Sequence, residues 1–155
     1  MPVTTTQKIV QQKFFNDLAS PVSLTASTWG PTDGHFLIQP YATTGRDTAV
    51  EFERISVLFD ASVTTASIVI SIDAAGTGVL WAGSLTILDK SGSTDRYGFV
   101  YPKQVIASAD IPAAIQTVLS TTEGKFYIQF KTNIDTGVQL CVVDWTLHSS
   151  GQASS

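Results

Sequence analysis

Apolar residues recur at every second position through most of this chain. Phe126, Ile128 and Phe130 alternate with Lys125, Tyr127, Gln129 and Lys131, the period of a half-buried strand. Runs of this kind, broken by Gly, Asp, Ser and Thr turns, continue from about Phe36 to Leu147. Residues 21–28 and 35–39 predict the first two strands, joined by the turn-rich loop 29–34. Residues 50–59 predict the longest. There Val50 and Phe52 share one parity and Ile55, Val57 and Phe59 the other, so the change of phase at Glu53 and Arg54 predicts a β-bulge or bend. Ile68, Ile70 and Ile72 point one way in the next strand, and the glycine turn 74–78 leads to a strand over 79–88. A polar loop, 89–95, precedes a strand over 96–101. Residues 125–131 and 138–148 predict a hairpin closed by 133–137. Residues 102–109 fit no single element, and 111–119 fit a short helix or a broken strand.

About eight strands spaced near ten residues apart imply an all-β fold, a two-sheet antiparallel β-sandwich. A jelly-roll path is the leading topology, with an immunoglobulin-like path compatible with the same spacing. No internal repeat points to a propeller or β-helix. The sandwich is expected over residues 21–150, with a polar tail over 151–155. Residues 1–20 stand apart. Val10, Phe14 and Leu18 are spaced as on one face of a short helix that Pro21 would stop; the alternative is an extended arm lying on a neighbouring subunit. Either way the adjacent rings of Phe14 and Phe15 need cover. The last strand needs it too. Cys141, Val143, Trp145 and Leu147 occupy one face, yet Leu140 and Val142 make the other face apolar. A second subunit is favoured over the N-terminal segment as its cover. Phe14, Phe15, Leu140 and Val142 are therefore the expected contacts with a subunit or partner surface.

Composition narrows the function classes. At 155 residues the chain fits one domain, able to bury roughly 70% of its unfolded surface without disulfides or metal. Charged residues make up 14%, against about 25% in an average soluble protein, and 36 Ser and Thr residues carry much of the polar role. Hydroxyls wet a strand's outer face, and Thr also favours the pleated backbone. The net charge of −4 with nine scattered basic residues argues against nucleic acid as partner, since binding a phosphate backbone needs clustered cations. No apolar run reaches the length of a membrane span, and no signal peptide is recognisable, so the expectation is a protein made in the cytoplasm. The single cysteine excludes an internal disulfide framework.

No set of residues for catalysis assembles from the spacing, and no enzyme, cofactor or metal is expected. Cys141 lies within an apolar run and reads as a small buried hydrophobe; His35 and His148 have no placeable partners for a zinc site. Residues 89–95 alternate oxygen side chains like a calcium loop. Thr94 and Val100, however, stand where an EF-hand needs Gly and Glu. Neither Gly76-Thr77-Gly78 nor Glu123-Gly124-Lys125 has phosphate-loop spacing. Trp29, Trp81, Tyr97 and Tyr101 lie near predicted loops, where aromatics stack on sugars, cap a core or anchor an interface.

The stretch from Phe52 through Ala61, the Thr64-Thr65-Ala66-Ser67 link, the Ile68-Val69-Ile70-Ser71-Ile72-Asp73 strand and Gly76 resemble small β-sandwich virion proteins of tailed bacteriophages. The later Val142-Val143-Asp144-Trp145-Thr146-Leu147 segment is similar in style, so the resemblance covers residues 50–147. It implies a capsid decoration (cement) protein or a head or tail accessory located in the virion, a homotrimer partnered by the major capsid protein. The absence of a repetitive shaft favours capsid decoration over a receptor-binding fibre. A carbohydrate- or receptor-binding module is the alternative.

Overall fold

The computed structural model describes residues 4–16, 20–38, 47–73, 75, 78–89, 92–107 and 125–152. The described residues form eleven strands: β1 (Thr4–Asn16), β2 (Val22–Leu24), β3 (Leu37–Ile38), β4 (Asp47–Phe59), β5 (Ala66–Ser71), β6 (Val79–Ser84), β7 (Thr86–Asp89), β8 (Arg96–Val100), β9 (Gln104–Ala107), β10 (Phe126–Thr132) and β11 (Thr136–Gln152). They make two antiparallel sheets. The larger runs β1-β11-β4-β8-β7, with β2 added on β11 and β9 on β4; the smaller runs β3-β10-β5-β6.

Eight of these strands form one folded-over ribbon. β1 pairs with β11, β3 with β10, β4 with β8, and β5 with β6, so first meets last, second seventh, third sixth and fourth fifth. The β4–β11 and β5–β10 ladders join the ribbon's limbs into two sheets. This is the jelly-roll path, and it excludes the immunoglobulin-like alternative.

The core lies between the sheets, as the alternation requires. Phe52, Ile55, Val57 and Phe59 of β4 and Val138, Cys141, Val143 and Trp145 of β11 are buried with Ile68 and Ile70 of β5 and Phe126, Ile128 and Phe130 of β10. Edge-to-face rings tie the layers together: Phe130 meets Phe36 at 5.8 Å and Phe59 at 6.2 Å, and Phe52 meets Phe126 at 5.5 Å. The expected bulge is present. Asp144 pairs with Arg54 and Trp145 with Phe52, leaving Glu53 as the extra residue. A second shift between Val138 and Leu140 leaves Gln139 unpaired, which turns Val138 inward in phase with Cys141.

Several expectations are corrected. Residues 79–88 are not one strand: at buried Leu85 the chain leaves β6 in the smaller sheet and enters β7 in the larger. Residues 125–148 are not a hairpin, because β10 and β11 lie in different sheets and the 133–135 connection crosses between them. Side chains hold that crossing. Asn133 Oδ1 accepts from the amides of Thr64 and Thr65 at 3.0 and 3.2 Å, and Asp135 Oδ1 from that of Ala26 at 2.8 Å. Residues 21–28 shorten to β2, while 102–109 contain β9, and β11 takes in Gly151 and Gln152 of the expected tail. The N-terminal segment is extended, not helical, and it lies along β11 of its own chain. Leu18 and residues 111–119 lie outside the described residues.

Candidate interaction surface on the larger sheet

The outer face of the larger sheet collects side chains that the core rejects. In the ladder register Phe14, Val142, Ser56 and Phe99 form one row across β1, β11, β4 and β8. Leu140, Leu58, Tyr97 and Leu88 form the next, ending on β7. Residues directly opposite in an antiparallel ladder share a face, so both rows lie on one side of the sheet. Much of that side is open. Val10 is 72% exposed, Phe14 61%, Tyr101 55% and Leu88 48%. A shallow depression of about 240 Å³ is lined by Phe14, Leu58, Tyr97, Leu140 and Val142, with Gln12 and Arg54 at its rim.

The aromatics along β8 form a row. Tyr97 stacks on Phe99 at 5.7 Å and 27°, and Phe99 meets the ring of Tyr101 edge-on at 5.7 Å. The Tyr97 hydroxyl donates to Ser56 Oγ at 3.0 Å, which fixes the ring over the sheet. Two opposite charges of this face neutralise each other. Arg54 Nε donates to Asp144 Oδ2 at 3.1 Å, and the Gln12 amide donates to the other oxygen of the same carboxylate.

The residues singled out from the sequence divide between the faces. Phe14, Leu140 and Val142 share the outer one, and Val142 is buried there among its lateral neighbours. β1 adds itself edge-on to β11, so it flanks that apolar face without lying over it. Phe15 is the correction. Successive strand residues point to opposite sides, and its ring turns inward to meet Phe36 edge-on at 5.3 Å, with Lys13 Nζ 4.8 Å from its centroid. The cover it needs comes from its own chain.

Trp29, Trp81, Tyr97 and Tyr101 do not converge. Trp29 lies in the loop after β2 with Lys131 Nζ 5.0 Å from its ring, beside an open cleft of about 500 Å³ that includes Thr25, Thr28 and Thr32. Trp81 is on the smaller sheet, its ring so close to Gly83 that a methyl group there would sit 2.7 Å from it. Only Tyr97 and Tyr101 share the outer face. Phe99, Leu58 and Leu88 belong to the same surface but were not foreseen; the period of two in Tyr97, Phe99 and Tyr101 was the signal for the first.

The potential nucleophile is buried, and Asp89 at the start of the calcium-like loop is ion-paired. Burial drives the Cys141 thiol far above its ordinary pKa and keeps it protonated. His35 stacks edge-on against Phe36 at 5.2 Å; the side chain of His148 lies outside the described residues. Asp89 pairs with Arg96 at 3.0 Å across the β7–β8 ends. Among the described residues no group of three or more His, Cys, Asp or Glu is placed to hold a metal ion, and no helix is long and apolar enough to cross a membrane.

No family model matches the chain, and no curated protein matches it. Among solved structures it is similar to the viral particle of infectious bursal disease virus, at 10% identity and a TM-score of 0.38, covering 96% of this chain and 36% of that one. It is also similar to the VP2 subviral particle of the same virus, at 12% identity and a TM-score of 0.34 over 99% of this chain and 38% of the other. A third similar structure, from the Gx strain of that virus, gives 14% identity and 0.27 over 100% and 38%. The chain thus spans less than two-fifths of each of these three chains. The jelly-roll assignment rests on the strand pairing described above and not on these similarities.

Proposed function

We propose that this chain is a noncatalytic structural protein of a virus particle, a decoration or cement protein that docks on the major capsid protein through the outer face of its larger sheet. The observation that carries this reading is the open apolar band of Phe14, Leu140, Leu58, Tyr97, Phe99 and Leu88, beside an ion pair already neutralised within the chain. Soluble monomers rarely expose contiguous apolar patches beyond a few hundred Å² unless the patch binds something. A charge-compensated band fits a broad protein surface better than an ionic ligand. The resemblance of residues 50–147 to small tailed-phage virion proteins points to the capsid as that surface. The mechanism is bridging: contacts to adjacent capsid subunits raise the cost of separating them against the pressure of packaged DNA. Virions assembled without the chain are expected to release DNA at a lower temperature than complete ones, and added purified protein should restore their heat resistance. Unchanged heat resistance would overturn the proposal.

The Tyr97-Phe99-Tyr101 row supports a second reading, a carbohydrate- or receptor-binding module, because ring faces on a rigid sheet suit stacking against sugars. Glycan-array binding that falls at least tenfold in the Tyr97→Ala, Tyr101→Ala double variant would favour it. The absence of binding by the parent chain would remove it.

A further inference from the structure

β1 closes the larger sheet. One side of it pairs with β11 from Thr4 to Asn16 without a register shift, and no described residue pairs with its other side. Proteins keep open edges from pairing by making them short, bulging them, or placing proline and charge on them. β1 has thirteen residues, no proline and no bulge, and its only charges are Lys8 and Lys13. Lys13 is turned towards β3, its ammonium donating to the Leu37 carbonyl at 3.2 Å. The same strand carries the two most exposed large apolar side chains described, Val10 and Phe14. A long, straight edge with apolar groups beside it is a template for another strand.

We propose that β1 pairs antiparallel with β1 of a second copy of this chain, about a two-fold axis through Gln12. In that register each Val10 stands opposite the partner copy's Phe14 on the outer face, where both are largely exposed. Lys13 falls opposite Gln11, and Lys8 opposite Asn16, so no two lysines face each other. An axis through Gln11 would instead set Phe14 opposite Lys8, and one through Lys13 would set that lysine against its own copy, which like-charge repulsion disfavours. The axis stands perpendicular to the sheet, so both outer faces point the same way and the two apolar bands form one surface. That geometry would give the cement reading its two attachment points. This consequence rests on the proposed function; the pairing does not. Nine residues of each copy overlap, positions 8–16 of the thirteen in β1, well short of the 20–30 a side of a standard interface. The dimer is therefore expected to dissociate on dilution.

Light scattering coupled to size exclusion tests this on the purified full chain across a concentration series. Twice the 16.6 kDa of one chain is expected at high concentration, falling to that of the monomer on dilution. Val10→Lys and Phe14→Glu should each weaken the dimer at least tenfold with little change in the melting temperature of the dilute monomer, where both side chains are largely exposed. An equimolar mixture of the two variants should recover a dimer, since the introduced lysine and glutamate meet only in this register. A monomer at every concentration, a trimer, a dimer indifferent to both substitutions, or a mixture that fails to reassociate would each overturn the proposal. None of these readings depends on whether the chain binds a capsid.

Discussion

At the scale of single residues, Cys141 shows how burial replaces reactivity. Its thiol is sealed between the sheets, and desolvation disfavours the thiolate there. Thiol reagents should therefore modify the native protein only as fast as it unfolds, a rate that denaturant accelerates; rapid labelling of folded protein would contradict the buried position. The same burial has a signed effect on stability. The folded pKa lies above the unfolded one, so the contribution is complete below the unfolded value of about 9.0 and declines as pH rises past it. The unfolded chain then binds fewer protons than the folded one, and unfolding free energy falls by about 1.4 kcal/mol per pH unit from this group. Subtracting the profile of Cys141→Ala, in which the group is gone, should isolate that slope. Asp60 works differently: its Oδ1 accepts from the Gly137 amide at 2.6 Å and the Thr136 hydroxyl at 3.2 Å, fastening the end of β4 to the start of β11.

At the scale of elements, the bulge at Glu53 decides which side chains reach the core. The extra residue lets Phe52 and Ile55 both face inward although their numbers differ in parity. Deleting Glu53 should force half of β4 onto the wrong face and abolish cooperative unfolding, whereas Glu53→Ala should cost no more than about 1 kcal/mol by losing the Thr146 hydroxyl contact. Comparable melting curves for the deletion and the substitution would refute the register. This bulge was legible because local alternation records it. The split at Leu85 and the crossing after β10 were not, since each strand segment alternates alike whichever sheet receives it. Gln129 shows the same limit. Its place in the alternation assigns it to solvent, yet it is buried with Nε2 donating to the Pro31 carbonyl at 3.1 Å. The loop after β2 covers it from nearly a hundred residues away, a contact that no local pattern encodes. The candidate surface was legible in the same measure. Leu140 and Val142 stood out because two apolar faces on one strand violate its pattern, whereas Leu58 and Leu88 became part of the band only through pairing across strands.

At the scale of the whole molecule, the ribbon pairing brings Thr4 beside Gln152, so the first and last strands meet at one end of the same ladder. A load applied between those two positions acts across the β1–β11 bonds and breaks them one rung at a time. It does not stretch the whole ladder in shear. Optical-tweezer pulling between handles at Thr4 and Gln152 should therefore peel β1 away at low force before the remaining sheets yield. Handles at Asn16 and Gln152, which sit at opposite ends of that ladder, should load its rungs together and need a several-fold higher force. Equal rupture forces in the two geometries would contradict the pairing. A protein built this way yields easily to a pull between Thr4 and Gln152 and resists one directed along the β1–β11 ladder.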